Sequence, residues 1–189
     1  MYLGHLDQAR EQIETARAEA LRFTQPVTVG WALFFSIRFQ LAIHAYDVAL
    51  RLLDDLSRQI HQRGIYLFGS SESIFRGQCL AALGDPQVGV DLIKDGLAAH
   101  HSSGVKMNLP THLTSLAHAY GCAGQSKRGL RLLVKAEEYV EMTGERVDEA
   151  EIHRVRGDLL CALHDAAAAE ASFRRAIAIA QVRAQNFRS

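Results

Sequence analysis

A period of 40 residues runs through the chain and limits its fold more than any other feature. Gly4, His44, Gly84, Gly124 and His164 stand one period apart. Five positions on come Ala9, Ala49, Gly89, Gly129 and Ala169, all small. Four further on come Ile13, Leu53, Ile93, Leu133 and Phe173, all large and apolar, and then Ala16, Leu56, Gly96, Ala136 and Ala176, mostly small. A second set holds an apolar column, Val27, Leu67, Met107 and Val147, and a mostly small one, Ile37, Gly77, Ala117 and Gly157. Gly64, Gly104 and Gly144 close the units. No gap is needed to align any column, and self-similarity at such a period marks a stack of supersecondary units.

Each unit reads as two helices. Over 45–63, Val48, Leu52, Leu53, Leu56 and Ile60 form one apolar stripe, and Gly64 follows at the position where a left-handed residue ends a helix. Pro110 and Asp85-Pro86 sit where helices begin, since proline lacks an N–H that the first turn leaves unbonded anyway. No stretch sustains strand alternation. The spacing predicts nine helices, near 5–22, 26–43, 46–63, 66–83, 86–102, 109–123, 126–143, 145–163 and 166–185. Gly or Ala at a crossing lets two backbones approach, and the large residue a turn later fills the gap beside them.

The small, x3, large, x2, small spacing in the second helix of each unit resembles the tetratricopeptide repeat. So does an apolar or small pair followed by an aromatic in the first helix. Leu116-Ala117, Tyr120, Gly124, Gly129, Leu133 and Ala136 match it best, followed by Gly157, Ala169, Phe173 and Ala176. The period is longer than the usual 34, and the proline after the second helix is missing. Longer units of this kind are similar to the C-terminal sensor arrays of bacterial signalling-ATPase transcription regulators and of class III adenylate-cyclase-like proteins. The resemblance implies an all-α, right-handed superhelix of antiparallel helix pairs, a solenoid of about four and a half repeats forming one domain over 1–189. Residues 1–22 match only the second helix of a unit, so a piece of a longer multidomain protein is expected. Its open N-terminal repeat, with Leu6, Ile13 and Leu21 on the apolar side, would allow weak self-association.

Composition narrows the function. Lys and Arg number 21 and Asp and Glu 21, so no basic excess argues for nucleic acid. Hydrophobic residues make up 48%, too many for a disordered chain, yet no run is long enough for a membrane span. Three cysteines without a Cys-x-x-Cys suit reduced thiols in the cytoplasm, with Cys79, Cys122 and Cys161 read as small buried hydrophobes. The nine histidines lack metal-ligand spacing, and His100-His101 read as a polar helix end. No P-loop, dinucleotide fingerprint or nucleophile elbow is present. The expectation is a protein that is not an enzyme, with no catalytic residues, metal or cofactor.

What remains is the inner surface, which the first helices line in tetratricopeptide arrays. Carried over residue by residue, the resemblance places Trp31, Phe34, Phe35 and Arg38 there, then Ser71, Ile74, Phe75 and Gln78. Thr111, Thr114, Ser115 and His118 follow in the next unit, then Glu151, Arg154, Val155 and Asp158. The column Arg38, Gln78, His118 and Asp158 is polar in every repeat while its neighbours are small or apolar. Its members are expected to stand exposed in one channel, with Arg38 beside Trp31 and Phe35. The expected ligand is a protein or peptide, or a small polar molecule, bound within a bacterial signalling or transcription regulator in contact with other domains. A plain peptide-binding scaffold is the alternative, and an enzyme on helices the remote one.

Overall fold

The computed structural model describes residues 6–22, 25–102, 104 and 107–186; Gly4 of the repeat columns lies outside them. Among the described residues there are nine α-helices and no strand. They are α1 (Leu6–Arg22), α2 (Pro26–Ala42), α3 (Tyr46–Arg63), α4 (Gly69–Ala82), α5 (Pro86–Ser102), α6 (Leu109–Cys122), α7 (Ser126–Thr143), α8 (Glu149–Ala162) and α9 (Ala166–Asn186). Each helix packs on the next, and α6 also touches α4 and α8 directly. That second set of contacts turns a chain of hairpins into a solenoid with one wall of first helices.

The repeat columns are its joints. Gly77 and Gly89 face each other where α4 crosses α5: a Cβ on Gly77 would lie 2.6 Å from the Gly89 carbonyl oxygen. In the next unit a Cβ on Gly129 would lie 2.7 Å from the Ala117 carbonyl oxygen. Leu53, Ile93 and Leu133 are buried beside these crossings. Phe173, in the same column, is only half-buried, because α9 has its main contact with α8. Gly64 and Gly144 end α3 and α7 in the left-handed region, each at φ 71°. His44 and His164 adopt the same conformation at φ 58° and 61°, so they do turn geometry where Gly84 and Gly124 stand in other units.

Two helix starts differ from the expected 66 and 145: α4, α6 and α8 begin at Gly69, Leu109 and Glu149, 40 residues apart. Tyr66–Phe68 forms a separate 3-10 turn ahead of α4, which buries Phe68. The eighth helix starts at Glu149 instead of 145, and the turn before it carries Asp148 inward. Asp148 stands at the N-cap but makes no capping bond, because Arg38 takes its carboxylate.

The core divides into two clusters. One runs from Val29 to Ala119 and holds Phe34, Phe68 and Phe75. The other, from Ala117 to Leu159, is aliphatic. Leu21 of α1 remains exposed. No helix among the described residues is long and apolar enough to cross a membrane.

Candidate functional site

The wall of first helices carries a cleft lined by Arg38, Phe75, Gln78, Thr111, Thr114, Ser115, His118, Glu151 and Val155, with Asp148 at its base. A second cleft shares His118 and Val155 and continues past Gly121 and Cys122 to Asp158, Leu159 and Ala162. Together they make one channel along α4, α6 and α8.

The two ends of this channel differ. At the Arg38 end, the guanidinium donates to both oxygens of Asp148, at 2.8 and 2.7 Å, with side-chain exposures of 14% and 6%. Thr111 donates its hydroxyl to the same carboxylate. Ser115 donates to the Gln78 carbonyl oxygen at 2.9 Å. This polar lattice fills the space, leaving about 50 Å³, enough for very few water molecules. The expectation that Arg38 stands exposed beside Trp31 and Phe35 is therefore corrected. Its charge lies 5.8 Å from the Phe34 ring centre and is met by Asp148. Phe75 is also corrected, being 1% exposed and part of the core. Thr114 and Ser115 are buried and bond back to the carbonyls of Pro110 and Thr111.

At the Asp158 end the channel widens to about 260 Å³. Arg154 reaches Asp158 at 2.6 Å and Glu151 at 2.7 Å, forming a half-exposed charged ladder along α8. Burial pushes the His118 pKa down to about 4, with Arg154 adding to it and Asp158 opposing. At neutral pH the ring is uncharged and offers one donor and one acceptor. Cys122 and Cys161 are exposed, against the expectation of buried packing, whereas Cys79 is buried as expected. Burial raises the Cys122 thiol above its ordinary value.

Trp31 belongs to a different place. It lines a cleft of about 550 Å³ at the edge where second helices end and first helices begin. Phe34, Phe68, Ser70, Asp95, His100, Met107 and Asn108 line it too. Phe35 stacks on Trp31 with 5.8 Å between ring centres, lies outside both clefts and is 54% exposed. His100 is buried, not a polar helix end, and meets the His112 ring edge-on at 4.9 Å. The apolar column Val27, Leu67, Met107 and Val147 comes out exposed.

Sequence reasoning missed Asp148, because the periodic helix was extended over it. The signal was an Asp just ahead of a helix, the usual N-cap type. It also missed Phe68 and His100 as walls of the edge cleft, to which the 3-10 turn brings Phe68. Among the described residues no group of three His, Cys, Asp or Glu side chains could hold a metal ion.

No family model matches the chain, and no curated protein matches it. Two solved structures do, of a Podosopora anserina protein described as a kinesin light chain with nearly identical TPR-like repeats, one of them a single-substitution variant. They are 16% and 17% identical, each with a TM-score of 0.52 over 98% of this chain and 90% of theirs. At that identity the likeness concerns the backbone: the chain folds as an all-α solenoid of tetratricopeptide-like repeats.

Proposed function

We propose that this chain is a non-catalytic binding module that holds an extended segment of a protein partner in its concave channel. The observation that carries this reading is the continuity of the channel through His118 and Val155, closed at Arg38 and open at Asp158. An extended backbone presents one N–H and one C=O per residue. Neutral His118 and the carboxylates of Glu151 and Asp158 can meet both kinds of group and a cationic side chain. A small polar ligand at the Arg38 end is disfavoured, since Arg38 and Thr111 already donate to Asp148 and Ser115 to Gln78 there.

The setting we favour is a bacterial signalling or transcription regulator in the cytoplasm, on the strength of the repeat likeness described above. Binding would act there by favouring one of two states of the parent protein. Peptides selected by display on the immobilised chain test the channel. Asp158→Ala and His118→Ala should each weaken selected binders several-fold, and Arg131→Ala, on the exposed face of α7, should not. Selected peptides indifferent to both channel changes would remove the channel as the site.

A further inference from the structure

The edge cleft shares no lining residue with the concave channel. We propose that it is a second, independent binding site, for a small organic cation with a flat apolar body, such as an aryl ammonium compound.

Size comes first: about 550 Å³ lies in the range of small-molecule sites. The walls come next. Trp31 meets Phe68 nearly perpendicular, at 85° and 5.0 Å between centres, and Phe34 at 82° and 5.5 Å. Phe34 and Phe68 are themselves covered, at 3% and 2% exposure, and hold the half-buried Trp31 in place; a cation over the Trp31 ring face is attracted by the ring quadrupole. Tyr66 adds an exposed phenol at the rim.

Charge selects the sign. Among the described residues lining the cleft, Asp95 is the acidic one and none is Lys or Arg. Arg38 touches the Phe34 ring, but its charge is met by the two oxygens of Asp148. His100 is neutral at pH 7, since burial lowers its pKa. Among the described lining residues an anion finds no counter-charge, whereas a cation finds the Asp95 carboxylate and the Trp31 and Tyr66 rings.

Gly69 keeps the floor open. Its φ of −60° is ordinary helix, and a Cβ there would meet nothing within 4 Å. Neither conformation nor packing demands glycine at this position, yet it lines the cleft.

Trp31 is the chain's single tryptophan, so its fluorescence reports the site directly. The full chain is titrated with phenyltrimethylammonium, benzyl alcohol and benzenesulfonate. The cation should change Trp31 emission saturably, the alcohol at least several-fold more weakly, and the sulfonate not at all. Asp95→Asn alters an exposed side chain, so folding should survive, and it should weaken the cation about three- to tenfold. Asp158→Ala, in the channel, should leave the titration unchanged. Equal response to cation and anion, no saturation with the cation, or an unaltered Asp95→Asn curve would overturn the proposal. These readouts are independent of whether the channel binds peptides.

Discussion

Arg38 and Asp158 occupy the same place in two repeats and lead opposite lives. Arg38 is drawn in, tied to a carboxylate 110 positions away in sequence, while Asp158 stays 47% exposed beside Arg154 of its own helix. Equivalent positions in a solenoid thus share a direction but not an environment. The superhelix brings the turn before α8 over α2, and whatever lies beneath is converted from surface to interior. One end of the polar column became structure and the other stayed available.

Removing charges should expose that contrast most strongly. Arg38→Ala removes the cation that meets the nearly buried Asp148 carboxylate and should lower stability by about 3–5 kcal/mol, read as a shift in denaturant midpoint. A loss below about 1 kcal/mol would mean that the pair is solvated and that the two ends are alike.

The core repeats the contrast with apolar residues. Leu133 is 0% exposed, and Leu133→Ala should cost about 2–5 kcal/mol. Phe173→Ala, one repeat later, should cost clearly less because its ring is only half-covered. Thermal melts of the two variants check the order, and a reversed order would place the better-packed joint at α9.

Histidines supply a pH-dependent version. His112 is fully buried with neither ring nitrogen hydrogen-bonded, and its pKa is pushed down to about 3 by burial, with His100 and Arg38 adding. His118 falls to about 4. Unfolding returns both to about 6.5, so the unfolded chain binds more protons below that pH. Stability is therefore full above about pH 6.5 and declines as pH falls toward 4, by about 1.4 kcal/mol per pH unit for each histidine. His112→Leu should reduce the slope by one proton in urea titrations across this window. An unchanged slope would show that His112 is not buried neutral.

The smallest effect is expected at the open end. Arg154 and Asp158 form a half-exposed pair, so Asp158→Ala should change stability by no more than about 1 kcal/mol. A larger loss would make the open end structural as well.

Much of this architecture was legible in the residues because it repeats. Gly77 against Gly89 and Leu133 beside Gly129 are local, one-period relations, and each unit states them again. What was hidden depends on longer range. Nothing near Arg38 in sequence announces Asp148, and the rise of the superhelix, which decides their meeting, is a sum of small rotations. The edge cleft was hidden for another reason: the helix expected over 66–83 covered Tyr66–Phe68, whose 3-10 turn sets Phe68 against Trp31. Thr111, Gln78 and His118 line the cleft along the first helices, but exposure could not be inferred from direction alone.

The most direct test of the partner-binding channel is a map of amide chemical-shift changes as a display-selected peptide is added to the isotopically labelled chain. The account predicts the largest changes on facing turns of α6 and α8, at Gly121, Cys122, Asp158 and Leu159, with α3 and α7 nearly silent. Changes concentrated on the outer helices α3, α5 and α7, with His118 and Asp158 unmoved, would contradict it.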